Sequence, residues 1–137
     1  MKKLLTLLTA LVVSVSAYGQ LVLKSDAAHS LIQFEAVHLG INDISGSFNK
    51  SNLTIDANEK DFAKSKLTFN VDVNSIDTHV EARDNHLKSA EFFDAAQYPA
   101  MEFVSTSLKK DATNKYTLNG KLTMHGVTKH VTLSLVY

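Results

Sequence analysis

The sequence predicts an all-β chain: a long antiparallel sheet, curled or closed into a barrel, with one short helical crossover. Three observations carry this expectation. Apolar and polar residues alternate with period two through most of the 137 residues. The alternating runs are separated by turn-forming clusters. A single stretch, from Thr78 to Ser89, abandons the alternation for helical spacing.

The elements follow in chain order. Lys2 and Lys3 precede an apolar run from Leu4 to Val15, and small residues follow at cleavage spacing. Residues 1–19 therefore read as a secretory signal peptide, cut after Gly19 or after Ala17. The run is shorter than the ~20 residues a spanning helix needs, so no stable membrane insertion is expected once the leader is removed. The mature domain is 20–137. Ile32, Phe34, Ala36 and His38 share one face of a first strand, with Gln33 and Glu35 opposite. His38-Leu39-Gly40 to Asn42-Asp43 is a turn, and Gly46 marks a bend or bulge in a strand-like run. Asp56 to Lys60 is a polar loop. Leu67, Phe69, Val71 and Val73 alternate with Thr68, Asn70 and Asp72, which gives a strand with one apolar and one wet face. Thr78-x-x-Glu81 has the form of a capping box and opens a helix over about His79–Ser89. Met101, Phe103 and Ser105 begin a strand after Pro99. Asp111 to Asn114 is a hairpin loop. Tyr116, Leu118, Gly120, Leu122 and Met124 alternate with polar residues. His125-Gly126 is a tight hairpin or bulge, and Val131, Leu133, Leu135 and Tyr137 form the last apolar face. About six strands are expected.

Composition excludes several functions. With 14 basic and 14 acidic residues the chain is neutral, and no basic patch stands out, so nucleic acid is not an expected partner. Cysteine is absent, which removes thiol chemistry, thiolate metal sites and disulfides. The six histidines show no His-x-His or His-Glu-x-x-His spacing, so no metal is expected. No Gly-x-Ser-x-Gly elbow or phosphate-binding glycine loop occurs, and the chain is not expected to be an enzyme or to carry a cofactor.

The chemically richest segment is Arg83-Asp84-Asn85-His86. On a helix Arg83 and His86 lie three apart and can face the same way. Two compatible readings stand. In one, Arg83 and His86 clamp the head group of a ligand at a cavity mouth. In the other, Asp84 caps a loop and pairs with Arg83 as a structural latch. His38, at the end of an apolar face, orients a ligand or bonds a backbone carbonyl. The inner-face residues Phe34, Phe69, Met101, Phe103, Leu122 and Met124 suit a filled core and a ligand tunnel equally well, since small barrels do either. The absence of tryptophan, with the small residues Gly120, Ala36 and Ser105 on inward faces, favours space inside.

These motifs together resemble the YceI-like family. The resemblance is carried by Asp26-Ala27-Ala28-His29-Ser30, His38-Leu39-Gly40, Gly46-Ser47-Phe48, Ser75-Ile76-Asp77-Thr78, Arg83-Asp84-Asn85-His86-Leu87, Phe92-Phe93-Asp94, Tyr98-Pro99 and Gly126-Val127-Thr128-Lys129. It runs in order from about Leu21 to Tyr137. It implies a lipocalin-like antiparallel β-barrel of about eight strands, here C-terminally shortened and unclosed. It also implies a periplasmic or secreted bacterial protein that holds an isoprenoid, quinone-like or similar apolar-tailed lipid for transport, storage or shielding. The alternative is a structural or stress-response barrel with a filled core and no ligand. On the lipid reading, the tunnel candidates are Phe34, Ala36, Phe69, Val71, Met101, Phe103, Leu118, Leu122 and Met124. The polar rim is His38, Arg83 and His86, with Asp84 as latch. An open sheet edge also invites a homodimer.

Overall fold

The computed structural model describes residues 21–58 and 60–137. The expected leader, Met1–Gly19, lies outside the described residues. Nine strands form among them: β1 (Leu21–Lys24), β2 (Ile32–His38), β3 (Asn42–Phe48), β4 (Ser51–Ala57), β5 (Lys66–Asp72), β6 (Ile76–Asp77), β7 (Ala100–Ala112), β8 (Lys115–Met124) and β9 (Val127–Val136). One helix, α1 (Glu81–Lys88), and two short 3-10 turns complete the chain. The all-β reading with one helix holds. The expected strand count was too low because β1, β3, β4 and β6 carry weak signals. β1 is too short to show a period, β3 is polar with a glycine inside, β4 mixes polar and apolar positions, and β6 has two residues.

All pairings are antiparallel. Six strands form one sheet in the order β1-β4-β5-β7-β8-β9, and three form a second in the order β2-β3-β6. Neither closes. Among the described residues β9 pairs only with β8, and β2 only with β3. The β8–β9 hairpin turns on His125 and Gly126, both at positive φ (49° and 69°), the mirror-image turn that matches strand twist.

β7 shows how a bulge serves the core. Met101, Phe103 and Ser105 occupy odd positions on the inner face, and simple alternation would carry Leu108 outward. The register slips between Ser105 and Ser107, and Leu108 comes to pair with Leu118 and is buried. The bulge also ends the β5–β7 ladder. The Leu67 amide there donates to Ser105 Oγ at 2.8 Å. Ser105 therefore fills a backbone hydrogen-bonding role rather than leaving room.

The glycines act by close approach. Gly46 stays in regular pairing with Phe34 and makes no bulge. A Cβ there would sit 2.8 Å from Thr78 Cγ2 and 2.5 Å from Cζ of the Phe34 ring. At Gly120 a Cβ would overlap the Phe103 ring and lie 2.6 Å from the Val104 carbonyl oxygen. The space expected at Gly120 is thus occupied by an aromatic ring laid across the bare backbone.

The interior divides into two clusters that share Phe69. One is built on Leu67, Phe103, Leu108, Tyr116 and Leu118. Phe62, in the 3-10 turn Phe62–Lys64, meets Tyr116 edge-on and stacks on Tyr137 at 4.5 Å, closing that end. The other is built on Phe48, Val71 and Ile76, with Phe34, Leu87, Phe93 and Met101 packed against it. Phe34–Phe48 and Phe48–Phe93 ring contacts at 5.5 and 5.9 Å join the small sheet to the segment after α1.

Candidate functional site

The concave face of the larger sheet holds an apolar cavity of about 550 Å³. Its floor is Leu53 on β4, Leu67 and Phe69 on β5, Phe103 on β7, and Leu118 and Leu122 on β8. Its wall is Val131, Leu133 and Leu135 on β9, with Ser134 and Val136 at the border. These side chains meet because cross-strand partners share a face: Leu53 pairs Phe69, Phe69 pairs Phe103, Phe103 pairs Leu122, and Leu118 pairs Leu133. The volume is within the ~300–1,000 Å³ range of small-molecule sites. The wall is the edge strand itself, so the cavity opens along β9. Leu133 is 45% exposed despite its apolar neighbours.

Of the expected tunnel residues, the structure brings Phe69, Phe103, Leu118 and Leu122 together at this cavity. Phe34, Val71 and Met101 are placed instead in the second cluster, around Phe48 and Ile76. Ala36 and Met124 are exposed near the ends of their strands. Leu53, Leu67, Val131, Leu133 and Leu135 line the cavity without having been singled out. Four of these five sit on apolar faces that the alternation exposes. Leu53 was missed with β4.

The polar candidates lie elsewhere. Thr78, only 3% exposed, is gripped from two sides. Asp84 accepts from its amide at 2.9 Å and from its hydroxyl at 2.5 Å. Arg83 Nε donates to the same hydroxyl oxygen at 2.8 Å, and Nη2 donates to the Thr78 carbonyl at 2.7 Å. Arg83 and Asp84 are therefore joined through Thr78. This bonding also changes the helix start. Thr78 is drawn inward, His79 takes φ 63°, and Val80 becomes the N-cap with no side-chain bond. The capping box does not form, and α1 begins at Glu81, two residues later than expected.

His86 Nε2 lies 2.8 Å from Glu91 Oε2, and its ring meets Phe92 edge-on at 4.9 Å. His38 closes the exposed tip of β2. None of His38, Arg83 and His86 borders the cavity. His125, expected only as a turn residue, ties the parts together. His125 Nδ1 donates to the Phe92 carbonyl at 2.6 Å and stacks on Tyr98 at 5.0 Å. The β8–β9 hairpin is thereby fastened to the segment between α1 and β7. Among the described residues no three histidine, aspartate or glutamate side chains gather as a metal site.

A family model described as YceI-like domain matches residues 23–137. The chain belongs to the YceI-like domain family. This YceI-like chain is 38% identical over 137 residues to a UPF0312 protein of Pectobacterium atrosepticum, covering 97% of the chain and 71% of that relative. It spans 57–59% of the length of several other curated relatives. Among solved structures, Burkholderia cenocepacia BcnA superposes with a TM-score of 0.73 at 27% identity, over 80% of the chain and 68% of BcnA. A polyisoprenoid binding domain from Saccharophagus degradans, implicated in plant cell wall breakdown, shares the fold at a TM-score of 0.50 and 16% identity. That match covers 76% of the chain and 58% of the domain. The YceI-like match with BcnA extends to most of the antiparallel structure described above.

Proposed function

We propose that the protein is a non-enzymatic carrier, exported to the periplasm or secreted, that holds an isoprenoid or similar apolar-tailed lipid for transport, storage or shielding. The observation that carries this reading is the cavity of about 550 Å³ floored by aliphatic and phenyl side chains and open along β9. The S. degradans neighbour supports it as a fold relative that binds polyisoprenoids. The energetics suffice. Burial contributes about 0.8 kcal/mol per methylene-sized group. A five-carbon isoprene unit then contributes roughly 4 kcal/mol, and three or four units offset the ~4–15 kcal/mol cost of association.

A second reading, a barrel with a filled core, is favoured by the Phe103 ring over Gly120 and by the packed cluster around Phe48, Val71 and Ile76. Native mass spectrometry of detergent-free protein, with lipid extraction in parallel, separates the two. A bound long-chain amphiphile is expected. A folded, lipid-free protein that also fails to take up added isoprenoid refutes the carrier reading. A homodimer along the outer edge of β9 belongs to the same proposal, because among the described residues that edge pairs with no strand and lies beside apolar surface. A monomer by size exclusion with light scattering refutes it.

A further inference from the structure

We infer that Lys129 gives the cavity a cationic pole and selects lipids with an anionic head group. This deepens the carrier reading and rests on it. Along β9, Leu135, Leu133 and Val131 occupy the cavity face at every second position. The next residue on that face is Lys129. Its cross-strand partner is Leu122, which lines the cavity floor. Cross-strand partners point to the same side of a sheet, so register places Lys129 at the border of the apolar surface. It lies about 7 Å from Val131 along the strand, within reach of its own four-carbon stem.

The placement is unusual for a lysine on a strand with one wet face. Thr128, His130, Thr132 and Ser134 take the solvent side of β9, each opposite a polar residue of β8. Lys129 alone among these charged and polar residues takes the apolar side. It takes no part in the ion pairs among the described residues, Asp26–His29, Asp61–Lys64, Asp77–His79 and His86–Glu91. The other basic candidates near α1 are engaged: Arg83 by Thr78 and His86 by Glu91. An ammonium with a free coordination sphere, beside an apolar cavity and open to water, suits a carboxylate or phosphate oxygen. The ligand class is a single-chain amphiphile with its tail along Val131 and Leu133 and its anionic oxygen on Lys129. A charge on the inner face of an edge strand also guards against sheet-edge pairing. That role alone predicts no preference among head groups.

The test compares farnesyl monophosphate, farnesoic acid and farnesol, three probes with one tail, by calorimetric titration of the full chain. Wild type is expected to bind the two anions about two- to fivefold more tightly than farnesol, as for an exposed charge pair. The two acids distinguish phosphate from carboxylate. Lys129→Gln is expected to erase the preference while farnesol affinity changes less than about twofold, and Lys129→Arg is expected to keep most of it. Two results overturn the inference and leave the carrier reading standing: wild type binding all three probes equally, or Lys129→Gln keeping the preference. A rise in oligomerisation with an unchanged preference assigns Lys129 to edge protection and also overturns it. Failure of all three probes to bind wild type refutes the carrier reading, and the inference falls with it.

Discussion

Replacing Asp84 with alanine tests whether the Arg83–Thr78–Asp84 arrangement is a latch. Asp84 supplies the acceptor for two donors of one residue, the Thr78 amide and the Thr78 hydroxyl. Thr78 is 3% exposed, so water cannot replace the lost acceptor at the amide. Hydrogen bonds to charged groups contribute about 1.5–3 kcal/mol each, and the orphaned amide adds a desolvation cost. The hydroxyl still has Arg83 as a neighbour and can reorient, so the two losses do not add fully. The expected destabilisation is about 3 kcal/mol. For a domain of this size that lowers the melting temperature by roughly 10–15 °C. Urea and thermal unfolding followed by circular dichroism measure it. Arg83→Ala is expected to cost about 2 kcal/mol by removing the bonds to the Thr78 hydroxyl and carbonyl. The double variant should fall short of the sum by about 1 kcal/mol, because both residues act on Thr78. A loss below about 0.5 kcal/mol in Asp84→Ala, with lipid affinity reduced in Arg83→Ala at unchanged stability, would refute the latch and restore the head-group clamp.

Three further outcomes are expected. Leu133→Asp places a carboxylate on the open wall of the cavity and should lower farnesol affinity at least tenfold, with little effect on the melting temperature, because Leu133 is already 45% exposed. Gly120→Val should be far more damaging than a surface change, because the new side chain meets the Phe103 ring and the Val104 carbonyl; loss of soluble protein or a fall of more than about 3 kcal/mol in urea titration is the expected readout. The Asp77 carboxyl is held below its ordinary value of 3.8, first by the His79 amide and next by the Asn49 side chain, with His79 and Lys88 adding attraction. Its native-state value lies below its unfolded one, so its contribution to stability is present above the unfolded value and is lost as pH falls through the native one. Asp77→Asn should therefore flatten the acid end of the stability–pH curve by lowering stability at neutral pH, with the variant and wild type converging at low pH where Asp77 is protonated.

Several parts of the fold were legible because they depend on local rules. The faces of β5, β8 and β9 follow from alternation, and the His125-Gly126 turn follows from residues that tolerate positive φ. The cavity floor was half legible. Phe69, Phe103, Leu118 and Leu122 stand on alternating faces, but so do Phe34, Val71 and Met101, and periodicity carries no information about which apolar face meets another face and which meets open space. The strand β4 was illegible because Ser51-Asn52-Leu53-Thr54-Ile55-Asp56 lies with much of both faces partly covered. The polar candidates do not border that cavity, for a related reason. Arg83 and His86 were drawn toward a ligand by their chemistry, whereas Thr78 and Glu91, five residues away in each direction, engage them first.

The sequence by itself determined the fold class, the position of the helix and the apolar side of the principal strands, because these are set by residue periodicity and backbone preference. Its ordered motifs also pointed to the family. The tertiary structure decided the rest. It set the bulge at Ser105–Ser107 that returns Leu108 to the core, the rings that fill the space beside Gly46 and Gly120, and the division into two clusters of which one borders the cavity. It also placed Lys129 beside the hollow, since the face of an edge-strand residue acquires meaning only when the surface it borders is known. Each of these depends on contacts between residues distant in the chain, and pairing register and packing volume fix such contacts where local sequence does not.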